Sequence, residues 1–144
     1  MNKQQQMQDI LKETVDYYSE DPVNRRCLDG DGNCMYTWGD NHCAVGRYLK
    51  PKYQKENWPD NSMSVYELAE YSDDYSIDHF LVDKAHGLDV QFWRDLQDIH
   101  DTPGYWQEWN RDVDGLRKNE LTDRGKGIYV EMQDKIAKGE DYDD

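Results

Sequence analysis

The scarcity of aliphatic side chains sets the limits on what this chain can fold into. Leu, Ile, Val and Phe together make up 24 of 144 residues, about 17%, while 31 acidic residues against 17 basic ones leave a net charge of −14. Chains with so little apolar area and so much net charge fall in the range that fails to offset the entropy of ordering. The rings argue the other way. Five Trp, 11 Tyr and 2 Phe supply 18 large aromatic side chains, and each removes roughly 150–250 Å² from water when buried. The expectation is a folded domain with a ring-rich core.

The length fits one domain, expected over residues 1–138, with 139–144 as a mobile acidic tail. The charge is uneven. Residues 1–72 hold 12 acidic and 8 basic side chains, and residues 73–144 hold 19 and 9. Such a surface repels nucleic-acid phosphates and anionic lipid and attracts basic protein surfaces, so no direct nucleic-acid contact is expected. No run of about 18 apolar residues signals a membrane span. Residues Met1 to Gln6 lack the apolar stretch of a secretory signal. Three cysteines, an odd number, point to reduced thiols in a cytoplasm.

Periodicity gives an α+β expectation that is mainly helical, with one small β-hairpin. Ile10, Leu11, Val15 and Tyr18 recur at helical spacing over residues 3–19. Cys34 to Trp38 reads as a strand, Gly39-Asp40-Asn41 as a reversal, and His42 to Tyr48 as the returning strand. Ser64 with Glu67 matches a capping box. Ser76 is placed as the cap of a helix running toward Ala85 and closed by Gly87. Asp89 caps a third helix containing Val90, Phe92, Trp93, Leu96 and Ile99, and Thr122 caps a last one with Ile128, Tyr129, Met132 and Ile136 inward.

Chemistry-bearing residue types are densest between Cys27 and Gly46. Cys34, His42 and Cys43 are the right kinds of ligand for zinc, but no Cys-x₂₋₄-Cys pair is present, so the expectation there is no metal and no cofactor. Asp29, Asp31 and Asn33 alternate like the start of a calcium loop. Its sixth position is Cys34 rather than Gly, and its twelfth is Asp40 rather than Glu. A cysteine nucleophile needs a base to make thiolate; His42 adjoins Cys43, and no spacing fixes His79, His86 or His100 beside a thiol. The acidic half offers Asp73, Asp74, Asp98 and Asp101 as partner-binding carboxylates. Trp106 and Trp109, flanking Gln107-Glu108, are either core rings or anchors for a partner protein.

Three segments, Cys34-Met35-Tyr36, Cys43-Ala44-Val45-Gly46 and Leu96-Gln97-Asp98-Ile99-His100-Asp101, together resemble a motif of small uncharacterised proteins of bacteria and tailed bacteriophages. The resemblance covers about a third of the chain. It implies a phage or bacterial cytoplasmic origin and supplies no activity. With the charge, it gives the leading expectation: a non-enzymatic acidic protein, acting in the host cytoplasm if phage-encoded, that binds a host protein with a basic surface and inhibits or redirects it. A nucleic-acid-binding or defence protein is such a target, reached by acidic mimicry. Two alternatives stand beside it: a small-molecule or metal-binding protein centred on Cys34, His42 and Cys43, and a small enzyme with a cysteine nucleophile.

Overall fold

Helix α1, Lys3–Glu20, buries Met7, Ile10, Leu11, Thr14, Val15 and Tyr18 along one stripe, the spacing of an amphipathic helix packed on a core. A computed structural model describes residues 2–20, 25, 27, 35–70, 76–102, 105 and 121–139. Within them the chain is α+β and mainly helical, with a single antiparallel hairpin. Strand β1, Thr37–Trp38, pairs with β2, Asn41–His42, in the register Thr37 to His42 and Trp38 to Asn41. Helices α2 (Val65–Glu70), α3 (Val90–Asp101) and α4 (Asp123–Lys138) follow.

The N-terminal glutamines are fasteners. Gln4 Nε2 donates to the carbonyls of Ile136 and Ala137, at 3.3 and 3.2 Å, and Gln8 Nε2 donates to that of Gln133 at 3.2 Å. The carbonyls in the last turn of a helix lack intrahelical partners, so Gln4 closes the end of α4 from the start of α1. Gln6 Nε2 donates to the carbonyls of Lys84 and His86. Gly139 completes α4 in the left-handed region, at φ 69°, its N–H bonded to the Lys135 carbonyl. Residues 140–144, the rest of the expected tail, lie outside the described residues.

The caps fall where local chemistry puts them. Ser64 Oγ accepts the Glu67 N–H and donates to Glu67 Oε1. Asp89 Oδ1 accepts from Gln91 N–H at 2.7 Å, and Thr122 Oγ1 from Gly125 N–H at 3.1 Å. Two expectations need correcting. The returning strand stops at His42, because from Cys43 the chain coils and Gly46–Tyr48 forms a 3-10 turn. Arg47 N–H bonds back to the Cys43 carbonyl and Tyr48 N–H to that of Val45, which removes those groups from any ladder. Nor does one helix run from Ser76 to Ala85. Ser76 caps a 3-10 turn over Ile77–Phe80. Leu81 then pairs with Leu49, with Lys50 N–H on the Phe80 carbonyl and Val82 N–H on that of Tyr48. These two bonds pull the chain straight before a second 3-10 turn at Asp83–Ala85.

The core is rich in rings, as the composition requires. Tyr18, Trp93 and Phe92 are fully buried, and Tyr48, Tyr36 and Phe80 nearly so. Met132 and Ile136 of α4 reach this core, while Ile128 and Tyr129 are only half-buried. Gly46 marks a very tight backbone contact, matched by Gly125 against the Tyr105 carbonyl. A Cβ at Gly46 would lie 2.2 Å from the Tyr36 carbonyl oxygen, whereas one at Gly127, inside α4, would meet nothing within 4 Å. Gly46→Ala is therefore expected to destabilise by about 1–3 kcal/mol through forced backbone movement. Gly127→Ala is expected to stabilise by about 0.5–1 kcal/mol through helix propensity. Urea midpoints at constant m-value measure both, and shifts of the same sign would contradict the packing.

Candidate functional site

The three segments that carry the sequence resemblance meet at one buried junction. The Tyr36 carbonyl accepts the Cys43 N–H at 3.2 Å, and Cys43 Sγ accepts the Gly46 N–H at 3.2 Å. Gln97 Oε1 on α3 accepts the Val45 N–H at 3.1 Å, while its Nε2 donates to Asp101 Oδ1 at 3.0 Å. His100, fully buried, is fixed at both nitrogens. Its Nε2 lies 3.0 Å from the Cys27 N–H, which can only donate, so Nε2 accepts and the proton sits on Nδ1. That N–H donates to Asp101 Oδ1 at 2.6 Å. The His100–Asp101 pair thus has the make-up of a base with its orienting carboxylate. Its working nitrogen is taken by the backbone, and it serves to anchor Cys27.

The described thiols at this junction, Cys27 and Cys43, are buried and not in a disulfide. Burial pushes Cys27 up to about 12 and raises Cys43 well above the ordinary thiol range. Attack on a substrate and metal ligation both use the thiolate, and here the protonated form is strongly favoured. His42 Nδ1 lies 3.0 Å from Thr37 Oγ1, and burial lowers its pKa. Among the described residues, no group of three His, Cys, Asp or Glu side chains is placed to hold a metal ion. Cys34 lies outside the described residues, as do Asp29, Asp31 and Asn33 of the calcium-like run. Asp40 sits exposed in the hairpin turn beside Gly39, whose φ is 61°.

Charge gathers on the outer flank of α3. The apolar positions Phe92, Trp93, Leu96 and Ile99 turn inward. This leaves Asp95, Asp98 and Asp101, spaced by three, as neighbours along the other side. Arg94 Nε is 3.8 Å from Asp98 Oδ2, and Lys135 Nζ on α4 is 3.7 Å from Asp95 Oδ2. Desolvation raises the Asp98 pKa and the charges of Asp101 and Asp95 raise it further, against the opposing pull of Arg94. A cleft of about 160 Å³ lies between α2 and α3, bordered by Tyr36, Asn61, Tyr66, Arg94, Asp98 and Asp101. A second, of about 140 Å³, lies between α3 and α4, and Asp98 borders both.

Two buried polar residues at the first cleft are treated differently by the fold. Asn61, 3% exposed, is satisfied: its Oδ1 accepts the Thr37 N–H at 2.8 Å and its Nδ2 donates to the Thr37 carbonyl at 2.7 Å. Tyr36, also 3% exposed, has a hydroxyl oxygen with no hydrogen-bond partner among the described residues. Leaving such a group unsatisfied costs about 1–3 kcal/mol. Trp93 Nε1 and Thr14 Oγ1 are likewise unpartnered, but neither residue borders this cleft.

Of the partner-binding residues expected from sequence, the structure brings Asp98 and Asp101 together on α3. Asp101 also holds His100 and Gln97. Asp73, Asp74, Trp106 and Trp109 lie outside the described residues. Sequence reasoning missed Tyr36, Arg94, Asp95 and Gln97. The i, i+3 and i, i+4 spacing along α3 is the signal that picks out Arg94 and Asp95. Among the described residues, no helix is long and apolar enough to cross a membrane. Comparison with known protein families, curated proteins and solved structures finds no match.

Two outcomes are expected. In native protein at pH 8, Cys27 and Cys43 should resist a thiol reagent and react only in denaturant; fast native labelling of Cys43, identified by peptide mass, would contradict the burial. For Asp98 the sign runs against the usual carboxylate. Its native pKa is raised above that of a free aspartate, chiefly by desolvation, so the native state holds the proton more tightly than the unfolded chain. Ionisation therefore opposes folding, an effect absent well below that value and complete once pH passes the raised native pKa. With the side chain 53% exposed, screening keeps the effect under about 1 kcal/mol. Asp98→Asn should raise the melting temperature slightly at pH 7 and leave it unchanged near pH 2; a fall at pH 7 would show that Arg94 outweighs the other terms.

Proposed function

We propose that this protein acts by non-covalent docking onto a basic protein surface, through the carboxylate flank of α3. The observation that carries this is Asp98. It stays on the surface between two clefts although desolvation, Asp101 and Asp95 all disfavour its charge. A strained charge of this kind is a feature of recognition sites. Carboxylates in a row steer a cationic partner toward the surface and speed encounter, and flanking clefts give side chains a place to seat.

The same chemistry favours a partner that ordinarily handles nucleic acid, since a row of carboxylates can occupy a groove built for phosphates. Inhibition or diversion of such a host or defence protein is the role we assign. A cytoplasmic setting, and a phage source, are part of the proposal. Its support is the pair of buried thiols, Cys27 and Cys43, which suit a reducing compartment, together with the motif resemblance.

A fluorescent ten-residue lysine-rich peptide and a DNA duplex of matched length serve as probes. The peptide should associate with the wild-type chain and the duplex should not. Association should slow by about an order of magnitude in Asp95→Asn/Asp98→Asn, and again on raising salt from 50 to 300 mM. Rates indifferent to both the substitutions and the salt would sink the proposal.

A further inference from the structure

His100 is a fully buried titratable side chain that docking through α3 leaves unused. Histidine is the side chain whose charge changes most readily near neutral pH, and the two ring nitrogens here answer that change unequally. Nδ1 donates to Asp101 Oδ1 at 2.6 Å in the neutral ring and still donates in the charged one. Nε2 accepts the Cys27 N–H at 3.0 Å. It can do so only while the ring is neutral, because protonation turns it into a second donor. We infer that His100 is a pH-operated latch. Neutral, it holds the Cys27 backbone and keeps that thiol covered; protonated, it releases the backbone and opens the thiol.

The surroundings direct the change to that one bond. Asp101 on α3 serves either form of the ring, as acceptor of a neutral N–H or as counter-charge to an imidazolium. It also accepts from Gln97 Nε2 at 3.0 Å, so the α3 side stays in place. From α1, the Tyr18 ring meets His100 edge-on with centroids 4.9 Å apart. Burial keeps that phenol neutral, its hydroxyl donates to the His42 carbonyl, and Arg47 lies within electrostatic reach of it. Burial also holds the Cys27 and Cys43 thiols protonated, and Asp101 and Glu56 lie within electrostatic reach of Cys27. The carboxylates draw a proton toward the ring, while burial and Arg47 resist it. Once it arrives, two donors face each other in a dry site, and the buried Cys27 N–H loses its acceptor. Cys27 is the member able to move, since α3 holds His100. Its other ties are an S–H donated weakly to the Asn41 carbonyl at 3.3 Å and a carbonyl that accepts the Met35 N–H at 3.2 Å.

Cys43 supplies an internal comparison. It is as buried as Cys27, but its Sγ accepts the Gly46 N–H and its own N–H goes to the Tyr36 carbonyl, so neither bond depends on His100. The test follows both thiols against pH in the full chain with 4,4′-dithiodipyridine, which reacts with thiols in acid as well as at neutral pH. Each labelling rate, read by peptide mass, is compared with that of the urea-unfolded chain at the same pH, which removes the ordinary pH dependence of a thiol. From pH 7.5 to 4.5 the protection of Cys27 should fall by about tenfold or more, the loss of one buried hydrogen bond. That of Cys43 should stay within about twofold.

Nitrogen-15 NMR of the His100 ring reports its protonation in parallel, and the loss at Cys27 should share its midpoint. His100→Gln offers an amide oxygen in place of Nε2 and does not titrate, so protection of Cys27 there should be independent of pH. Where that variant does not fold, the comparison of Cys27 with Cys43 in the wild-type chain decides. A ring that titrates while Cys27 stays protected overturns the latch, and so does a ring that stays neutral down to pH 4.5. Equal loss of protection at Cys43 would show general unfolding, and acid opening of a folded His100→Gln would place the proton elsewhere; either result sinks the inference.

Discussion

The contact between Gly46 and the Tyr36 carbonyl governs how the hairpin meets α3. It brings two backbones closer than any side chain permits, and only glycine lacks the atom that would prevent it. With that approach made, the Cys43 N–H reaches the Tyr36 carbonyl and the Val45 N–H reaches Gln97. The hairpin is thereby locked against α3. Gln97 and His100 then share Asp101 as a common acceptor, and His100 carries the bond onward to the Cys27 backbone. One close approach is thus linked through side chains to a segment more than seventy positions away from His100 in sequence. Cys43 contributes a weak acceptor to the Gly46 N–H here, and Cys27 donates its S–H to the Asn41 carbonyl.

The same junction sorts the acidic residues of α3 into two kinds. Asp101 is drawn into the structure as the acceptor that fixes the His100 tautomer and the Gln97 amide. Asp95 accepts from Gln91 Nε2 at 2.9 Å and faces Lys135 of α4 at 3.7 Å. Asp98 has Arg94 at 3.8 Å, too long for a strong charge-assisted bond, and its surroundings resist its ionisation. A chain with net charge −14 has ample carboxylates to spread over its surface. Placing three along one helix flank concentrates the field where two clefts open, and that is an arrangement of position rather than of composition.

Features decided within a few residues were legible in the sequence. The caps at Ser64, Ser76, Asp89 and Thr122 depend on a side chain reaching a backbone N–H two or three positions on, and each was found where the residue types put it. The α1 stripe and the Gly39 reversal are equally local. The strand expected from His42 to Tyr48 failed because the 3-10 turn takes the Arg47 and Tyr48 N–H groups back to Cys43 and Val45, and Gln97, remote in sequence, claims the Val45 N–H. The helix expected from Ser76 to Ala85 failed for a similar reason, the pairing of Leu81 with Leu49. Gln4, Gln6 and Gln8 read as polar filler until α4 and the Lys84–His86 turn are placed beside them. Asp98 and Asp101 were identifiable as charge. Tyr36 was not identifiable as a site residue, because lacking a partner is a property of the surroundings and leaves no mark on the residue itself.

Polar groups deep in a fold are ordinarily satisfied, and this chain meets that standard with care close to the cleft. Asn61 is matched at both its oxygen and its nitrogen, and the Thr37 backbone is matched in return. Ser64 and Glu67 bond each other on the rim. Against that background the bare Tyr36 hydroxyl is not explained by loose packing, since its ring is as buried as Asn61. Phenylalanine would fill the same volume without the unsatisfied oxygen. An ionised Asp98 on the border of the same cleft opposes folding in the same sense, since asparagine would fill that place without the charge. Two positions at this cleft each carry a polar group that the isolated fold would be more stable without, so stability alone selects neither.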